Sequence, residues 1–319
     1  MIPQRPMKIL LTGGTGFIGQ AVLMELLQRG HQVVATTRRF SDNLPVDANL
    51  EWVLWDGAKQ ALPIVPWRQF EAILHLAAVA NSAPHPENAQ EIYEVSAGVT
   101  FRFLEAARLN GVARVLVAST GDVLGPTPLG ACEHDILYAP TSFYGATKAC
   151  TELLVRSYRD VLSTAILRFY HPFGPGGDRF LVNRLVHSVA AGRVIKIEGQ
   201  DGIRLNPVWI DDLAVGVRQA VESDQAGIFH FGGPLTVSLR DLVSTIGKLA
   251  GREPVIQSIA APCIQRHVGS FEQTTRTLGY RPKVSIEEGL TRMLTSQKAA
   301  IESQELGVRN HGHSPSIGV

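Results

Sequence analysis

The chain has 319 residues, of which 45% are hydrophobic, enough to bury one large core or two coupled ones. Its 30 basic and 29 acidic residues give a net charge of +1 with no lysine or arginine run, so we expect no nucleic-acid partner. Three scattered cysteines form neither a disulfide framework nor a C-x-x-C metal pair, and no window approaches about 18 apolar residues, so we expect a cytoplasmic protein with no metal and no membrane span.

Short apolar runs alternate with helical patterns along the first half of the chain. The spacing predicts strands over residues 8–12, 32–36, 51–55, 72–76, 114–118 and 164–168. It predicts helices over residues 17–29, 87–110 and 143–160. Strands that alternate with helices are typical of an α/β protein with a doubly wound parallel sheet, the Rossmann architecture. Such sheets bind ligands beyond the carboxyl ends of their strands.

The pattern of predicted helices and strands changes at Phe173. Beyond it we predict helices over residues 180–191, 211–222, 239–250 and 286–296, and strands over 194–197 and 227–231. The last residues are polar and rich in serine, histidine and glycine. We therefore predict a dinucleotide-binding domain over residues 1–172, a smaller C-terminal α/β substrate lobe over 173–297 that is interleaved with it, and a disordered tail over 298–319.

A glycine-rich turn joins the first predicted strand to the first predicted helix. Gly13, Gly16 and Gly19 form a G-x-x-G-x-x-G pattern, and Phe17 and Ile18 lie between the last two glycines. Backbone without Cβ atoms lets a pyrophosphate approach, and a helix N-terminus offers it free N–H groups and partial positive charge. We interpret this turn as a dinucleotide-binding site; the alternative is an ordinary strand-to-helix turn.

The end of the second predicted strand bears on the choice between NAD and NADP. An acidic residue there favours the free ribose of NAD, whereas this chain continues with Arg38 and Arg39 and has no acid before Asp42. Two arginines suit a 2′-phosphate, so the sequence favours NADP slightly over NAD within an NAD(P) prediction. The alternative is a solvated basic loop.

Residues after the third and fourth predicted strands complete the candidate cofactor site. Asp56 is a candidate acceptor for the adenine amino group, or alternatively caps the turn that follows it. Ala77 and Ala78 are small residues at a point where the cofactor would contact backbone. His75, at the end of an apolar run, is interpreted as structural.

Tyr144 and Lys148 are four residues apart on a predicted helix and therefore share one face. A nearby ammonium favours the phenolate, which lowers the tyrosine pKa and lets the side chain move a proton on and off an alcohol or sugar hydroxyl. Ser119 and Thr120 end the fifth predicted strand. The spacing of Tyr144 and Lys148 alone also fits a packing tyrosine, so the interpretation depends on the glycine turn and on Thr120.

The motifs resemble those of the extended short-chain dehydrogenase/reductase family of sugar-nucleotide epimerases, dehydratases and reductases. They are T-G-G-T-G-F-I-G at 12–19, H-L-A-A at 75–78, L-E-A-A at 104–107, S-T-x-x-V-x-G at 119–125, Y-G-A-T-K at 144–148, L-R-x-x-x-x-F-G-P-G at 167–176 and L-G-Y-R-P at 278–282. The resemblance implies that Tyr144 is the acid/base and that Thr120 contacts the substrate oxygen, with Ser119 beside it. It further implies that Lys148 lowers the pKa of Tyr144 and binds the nicotinamide ribose, and that the chain forms a homodimer through the helices at 87–110 and 143–160.

Several residues depart from the family pattern. The dehydratases carry Asp-Glu after the catalytic threonine, where this chain has Gly121 and Asp122, which weakens a dehydratase prediction. His171 replaces the asparagine that meets the nucleotide phosphates. Leu205 stands where the family has a phosphate-binding arginine, and Arg204 lies one place earlier.

Two further changes concern the long helix and the candidate phosphate ligands. Ser96 replaces the usual asparagine of the long helix, and Arg179 and Arg266 are additional candidates for a substrate phosphate. The departures concern the substrate more than the fold or the cofactor.

Three functions fit these observations. The first is an NAD(P)-dependent oxidoreductase or epimerase that performs 4-keto reduction or C4 epimerisation on a nucleotide-activated sugar. The second is an NADPH-dependent reductase of a non-nucleotide carbonyl substrate, which the substitutions at His171 and Leu205 favour. The third is a non-catalytic dinucleotide-binding protein, against which the set of Thr120, Tyr144 and Lys148 argues.

Overall fold

A seven-stranded parallel sheet forms the centre of the protein. The computed structural model describes residues 5–79, 86–125, 138–260 and 266–296, so the predicted tail at 298–319 lies outside the described residues. The strands run in the order β11-β6-β5-β4-β1-β2-β3. Their bounds are β1 Lys8–Thr12, β2 Gln32–Thr37, β3 Leu50–Leu54, β4 Ala72–His75, β5 Arg114–Thr120, β6 Ser163–Phe169 and β11 Gly227–Phe231. Every neighbouring pair is parallel, as predicted.

Helices cover both faces of this sheet. They include α1 Phe17–Gln28, α3 Val99–Asn110, α4 Phe143–Ser157 and α6 Ile210–Glu222. Helices α1 and α6 pack against each other and enclose one buried cluster, whereas α3 and α4 enclose the other. Because helices cover both faces, the central strands β1, β4 and β5 are buried along nearly their whole length, whereas the edge strand β3 is partly exposed.

The region predicted as a smaller lobe contains short strands and four further helices. Its helices are α5 Leu181–Ala190, α7 Leu239–Ala250 and α8 Glu272–Leu278, followed by a helical stretch, α9, over residues 286–296. Its strands are β7 Pro172–Phe173, β8 Ile195–Glu198, β9 Arg204–Leu205, β10 Val208–Trp209, β12 Val237–Ser238, β13 Ile256–Ile259 and β14 Arg266–His267. In the same part of the sequence, α6 and β11 join the large sheet, so the chain passes between the two regions.

The helix predicted over 87–110 is interrupted. It consists of α2 Ala89–Tyr93, a π-helical turn over Glu94–Gly98, and α3. Two carbonyl groups of the widened turn have side-chain partners, since His75 Nε2 lies 3.1 Å from Val95 O and Thr100 Oγ1 donates to Ser96 O. The side chain of the strand residue His75 therefore fixes the helix at its widened turn, a contact that helical periodicity does not reveal.

None of the helices in the described ranges is long and apolar enough to cross a membrane.

Candidate active site

The order of strands changes direction between β1 and β4, and the candidate site lies at the carboxyl ends of the strands beside this point. Gly13 follows β1 with a φ of 77°, and a Cβ on it would lie 2.6 Å from the backbone nitrogen of Ala77, which follows β4. A Cβ on Gly19 would lie 1.9 Å from Gly13 O. The protein's own packing therefore requires these two glycines.

Gly16 has a different role in the same turn. It is exposed at the N-terminus of α1, no side chain caps that terminus, and a Cβ there would meet only Gly13 O, at 3.3 Å. Phe17 packs against Phe180 at a ring distance of 4.9 Å, and Ile18 packs against the core, so both would offer a ligand their backbone N–H groups. Exposed, uncapped N–H groups beside a glycine fit the pyrophosphate of a dinucleotide.

A chain of hydrogen bonds in the interior supports the glycine turn. His75 Nε2 faces the carbonyl of Val95, which can only accept, so Nε2 carries the proton and Nδ1 accepts from Thr12 Oγ1 at 2.7 Å. Thr12 Oγ1 in turn accepts from the backbone nitrogen of Ala77. Burial and the charge of Lys148 lower the pKa of His75 to about 3, so the ring is neutral. His75 therefore has the structural role expected of it.

The residues predicted to read the adenosine part of the cofactor lie at the ends of β2 and β3. The end of β2 carries no acid; Thr37 Oγ1 donates to the carbonyl of Arg39 instead, and Arg38 and Arg39 are exposed. Arg38 has Glu91 nearby, with a nitrogen–oxygen distance of 3.9 Å. The carboxylate of Asp56 accepts from the backbone of Ala58, which corresponds to the capping alternative.

The predicted catalytic residues come together at the ends of β5 and α4. Ser142 caps α4 by accepting from Gly145 N at 3.0 Å, which starts the helix directly before Tyr144. Lys148 is buried, its Nζ donates to Ala118 O at 3.0 Å, and it lies 6.0 Å from the centroid of the Tyr144 ring. The Lys148 ammonium is therefore held against β5, the strand that ends at Thr120, and Tyr144 lies one helical turn before it on α4.

The pKa shifts of this pair differ from the sequence expectation. Burial raises the pKa of the Tyr144 hydroxyl above its usual range, and the negative charge of Asp122 raises it further. Burial lowers the pKa of Lys148 to about 8, opposed by the carboxylate of Glu152. The net shift of the Tyr144 pKa is opposite in direction to the one expected from a neighbouring ammonium, because desolvation and the charge of Asp122 both raise it. Tyr144 therefore holds its proton at neutral pH.

A buried ion pair that the sequence analysis missed lies beneath the catalytic helix. Arg168 on β6 makes two hydrogen bonds to Glu152 on α4, of 2.7 and 2.9 Å, and both side chains are fully buried. Ser119 Oγ donates to Glu152 at 2.5 Å and Tyr138 donates to it at 3.0 Å. Ser119 is thus engaged in the interior, which argues against the predicted substrate contact. An arginine in an otherwise apolar strand was the signal for a buried carboxylate partner.

A second group of polar residues lies across the candidate site. The sequence analysis did not predict that these residues are in contact. His171 follows β6, and its Nε2 lies 2.8 Å from His267 Nδ1 on β14. His267 Nε2 lies 2.9 Å from Asp122 Oδ1, an ion-pair contact whose angle is poor for a hydrogen bond. Although burial raises the pKa of Asp122, the contacts with His267, His171 and Thr120 lower it by more. The backbone nitrogen of Asp122 donates to Thr120 Oγ1, which connects the group to the predicted catalytic threonine.

The predicted phosphate ligands are only partly brought together. Strands β9 and β14 pair in parallel, with Arg204 opposite Arg266 and Leu205 opposite His267, so the two arginines share one face. Leu205 is completely buried in the core. Arg179 is exposed in the segment before α5. Within the described ranges, no cluster of three or more histidine, cysteine or acidic residues could hold a metal ion.

Comparison with known proteins agrees with this geometry. Residues 9–232 match the model of a family described as the NAD dependent epimerase/dehydratase family. The chain is 29% identical to a 2-alkyl-3-oxoalkanoate reductase of Stenotrophomonas maltophilia, over 92% of this chain and 100% of the relative. It is also 29% identical to a UDP-glucose 4-epimerase of Mycolicibacterium smegmatis, over 90% of this chain and 97% of the relative.

Among solved structures, the fold is similar to that of MoeE5 in complex with UDP-glucuronic acid and NAD. The TM-score is 0.79 at 26% sequence identity, and the match covers 92% of this chain and 99% of the other.

Proposed function

The chain belongs to the NAD-dependent epimerase/dehydratase family, and from this premise we propose that it uses a nicotinamide dinucleotide to reduce or epimerise the C4 centre of a nucleotide-activated sugar. The observation that carries the proposal is the grouping of Tyr144, Lys148 and Thr120 at the carboxyl ends of the strands. The glycine turn lies at the same edge of the sheet, after β1.

We assign the cofactor to the glycine turn, with Gly13, Gly16 and Gly19 at its pyrophosphate and Ala77 and Ala78 at its backbone contacts. The bound nicotinamide supplies the hydride chemistry. Lys148 is assigned to the ribose of the cofactor because its ammonium is held at the end of β5 next to Tyr144.

The acid/base role falls to Tyr144. Because its pKa is raised, the hydroxyl is protonated at neutral pH and can donate that proton to a ketone oxygen as the carbon is reduced. Thr120 holds the same oxygen through its hydroxyl in this proposal.

NADP is the preferred cofactor in this proposal. The end of β2 presents Arg38 and Arg39 to solvent and carries no acidic residue that would accept from a free 2′-hydroxyl. Guanidinium groups bind phosphates with two parallel hydrogen bonds, and their exposure leaves them accessible. MoeE5 was solved with NAD, so the preference rests on these two side chains alone.

A nucleotide sugar is supported by the relatives and by one feature of the lobe. The Mycolicibacterium relative is a UDP-glucose 4-epimerase and MoeE5 was solved with UDP-glucuronic acid. Arg204 and Arg266 lie on one face of neighbouring strands and place two positive charges there, on the side opposite the one that carries Leu205 and His267.

A second candidate function is the reduction of a non-nucleotide ketone. Leu205 is buried in the core at the place where the family has a phosphate-binding arginine, and the relative from Stenotrophomonas maltophilia is a 2-alkyl-3-oxoalkanoate reductase. Under this alternative the same Tyr144 protonates the ketone oxygen. The two candidates share their chemistry and differ in what the smaller lobe binds.

A turnover panel tests the proposal. Purified protein is assayed with NAD⁺ and with NADP⁺ for epimerisation of UDP-glucose and UDP-glucuronic acid, and with NADH and with NADPH for reduction of a dTDP-4-keto sugar and a 2-alkyl-3-oxoalkanoate. We expect activity on a nucleotide sugar; activity confined to the oxo acid would establish the second candidate instead. Dinucleotide binding without hydride transfer to any compound would favour a non-catalytic protein.

The homodimer is also part of the proposal. Phe101 on α3 and Leu153 on α4 each expose about half of their surface on the two helices predicted to form the interface. Light scattering of the wild type and of Leu153→Glu is the test, with a dimer expected for the wild type and a monomer for the variant.

A further inference from the structure

A row of polar side chains crosses the large sheet on the face that meets α4. Ser119 on β5 is paired with Arg168 on β6, and Arg168 is paired with His230 on β11. Paired residues of neighbouring parallel strands point to the same face, so the three side chains lie side by side. All three are buried, and Ser119 and Arg168 contact Glu152 of α4, which is buried as well.

The carboxylate of Glu152 accepts four hydrogen bonds from this row and from the segment before α4. Its Oε1 accepts from Ser119 Oγ at 2.5 Å and from Arg168 Nε at 2.9 Å. Its Oε2 accepts from Arg168 Nη2 at 2.7 Å and from the Tyr138 hydroxyl at 3.0 Å. A guanidinium can only donate, and charge-assisted pairs of this kind are strong, so Glu152 is ionised and holds α4 to β5 and β6.

The same carboxylate lies one helical turn after Lys148, and residues four apart lie on one face of a helix. The ammonium of Lys148 is buried, and the acceptor that it contacts, Ala118 O, is neutral. Burial lowers the pKa of Lys148 to about 8, and the carboxylate of Glu152 opposes that shift. One carboxylate therefore acts on two buried cations, Lys148 and Arg168.

Three titratable groups near these cations are uncharged at neutral pH. Burial and the charge of Lys148 lower the pKa of His75 on β4 to about 3. The pKa of Tyr144 on α4 is raised by burial, so its hydroxyl is protonated. Arg168 Nη1 lies 3.2 Å from His230 Nε2, and burial together with the arginine lowers the pKa of His230 to about 3. None of these three groups adds a negative charge.

Two charged groups lie on neighbouring parts of the chain. Asp122 follows β5 and acts on the tyrosine of α4, and Arg102 on α3 acts on the ring of His75. The negative charge that acts on Lys148 is that of Glu152. Loss of the Glu152 charge should therefore lower the fraction of Lys148 that is protonated.

We propose that Glu152 is a positioning residue of the active site, which holds α4 against β5 and β6 and keeps the ammonium of Lys148 charged. A charged Lys148, 6.0 Å from the centroid of the Tyr144 ring, stabilises the phenolate that is left when Tyr144 gives its proton to the substrate. Glu152 is fully buried and acts through Lys148. The catalytic part of this inference rests on the proposed function, whereas the charge of Lys148 is a property of the folded chain alone.

The proposal assigns the upper pH limit of activity to Lys148. Lys148 loses its charge as the pH rises through about 8, whereas Tyr144 keeps its proton there because its pKa is raised. Activity should therefore fall above about pH 8 because the ammonium is lost. Removing the charge of Glu152 should move this limit to lower pH.

The charge of Lys148 is measured by nuclear magnetic resonance of the full chain labelled with ¹³C at the lysine Cε. Lys148 is assigned by the signal lost in Lys148→Met, and the exposed Lys59 is the internal control. We expect the Lys148 signal of the wild type to titrate with a midpoint near pH 8. Glu152→Gln should lower this midpoint by about one pH unit or more and leave the titration of Lys59 unchanged.

Arg168→Met is the matched variant, because it breaks the same ion pair from the other side. It retains the carboxylate of Glu152, so the midpoint of Lys148 should stay at or above the wild-type value. A residue that only supports the fold would give the same result in both variants. A midpoint that Glu152→Gln leaves unchanged or raises, or that falls equally in Glu152→Gln and Arg168→Met, would overturn the inference.

A double variant covers the case in which Glu152→Gln does not fold because it leaves Arg168 buried without a carboxylate. Glu152→Gln combined with Arg168→Met removes both buried charges and differs from Arg168→Met only at Glu152. The midpoint of Lys148 in the double variant should lie below that in Arg168→Met. Equal midpoints in these two proteins would likewise overturn the inference.

The pH dependence of kcat/KM tests the catalytic part, with whichever compound of the turnover panel is active. The fall in kcat/KM above about pH 8 should begin at lower pH in Glu152→Gln, by the same shift as the Lys148 midpoint. A loss of activity that is equal at every pH would leave Glu152 with a role in the fold alone and would contradict the proposal. If no compound is turned over, the proposed function is in error, and the midpoints still decide whether Glu152 sets the charge of Lys148.

Discussion

The two sides of the candidate site are assembled in different ways. On the cofactor side, the glycine turn is one continuous segment between β1 and α1, and its neighbours Ala77 and Ala78 directly follow β4. On the substrate side, Asp122, His171 and His267 come from three parts of the chain, and the two histidines alone are 96 residues apart. A site made of continuous segments carries its signature in the sequence, whereas a site made of distant single residues does not.

Two histidines show the same contrast at the level of single groups. His75 has both ring nitrogens engaged, by Thr12 and by Val95, so it can only support the fold. His171 Nε2 instead lies 2.8 Å from His267 Nδ1. The ring partners of a buried histidine therefore come from other elements of the fold, which its place in the sequence does not show.

The largest expected effect is on the catalytic residue shared by both candidate functions. Tyr144→Phe removes the proton donor, and kcat should fall by about 10²- to 10⁴-fold while dinucleotide affinity changes little. Steady-state kinetics and fluorescence titration measure the two quantities. Tyr93→Phe, an exposed tyrosine on α2, is the control and should retain full activity. A Tyr144→Phe variant that remains active would contradict the proposed role of Tyr144 as the proton donor.

The next effect concerns the support of the catalytic helix. Arg168→Met leaves the carboxylate of Glu152 buried without its partner, and the free energy of unfolding should fall by about 3–5 kcal/mol. Urea denaturation gives the value. Arg159→Ala, which removes an exposed pair with Asp160, should cost less than about 0.5 kcal/mol. Equal losses in the two variants would show that the buried pair does not hold α4 in place.

A smaller effect should appear in the dependence of stability on pH. His171 has a pKa of about 3 in the folded protein and 6.5 as its ordinary value, so between these values the unfolded chain binds more protons. Stability is therefore complete above pH 6.5 and falls as the pH drops toward 3, by about 1.4 kcal/mol per unit for each such histidine.

His171→Asn should consequently lose about 1.4 kcal/mol less than the wild type between pH 7.5 and pH 5.5. Urea denaturation at the two pH values measures this difference. Identical losses in the two proteins would indicate that the pKa of His171 is the same in the folded and unfolded states.

The smallest expected effect is on the choice of cofactor. Arg38→Ala should raise the Kd of NADPH by about three- to tenfold, the loss of one charge-assisted contact at an exposed site, and leave that of NADH unchanged. Arg29→Ala, an exposed arginine at the end of α1, is the matched control. Equal weakening of both dinucleotides by Arg38→Ala would assign this side chain to another part of the cofactor.

The sheet and its principal helices could be predicted from the sequence, because each follows from a local pattern of apolar residues. The six strands predicted before Phe173 and the parallel arrangement are confirmed. Periodicity could not show the π-helical turn at Glu94–Gly98, since its cause is the ring of His75 on another element. Two-residue strands such as β9 and β14 are too short to carry any pattern.

The candidate site was predicted unevenly for the same reason. Tyr144 and Lys148 share a helix, so their spacing is informative, and their catalytic roles stay a prediction. The direction of the Tyr144 pKa was wrong because burial and the position of Asp122 are properties of the folded chain. Ser119 was placed beside the substrate because it precedes Thr120, yet successive residues of a strand face opposite sides.

The tight contact between Gly121 and Tyr170 restricts how this protein could change its chemistry over evolution. Gly121 occupies the position where the dehydratases of the family pattern have an aspartate, but any side chain there would collide with the ring. A smaller residue would have to replace Tyr170 first, and that variant would contain a cavity that lowers the free energy of unfolding by about 3–5 kcal/mol. A change from this sequence to a dehydratase sequence therefore requires an intermediate of low stability. The order in which the substitutions at Gly121 and Tyr170 arise decides whether that change can occur.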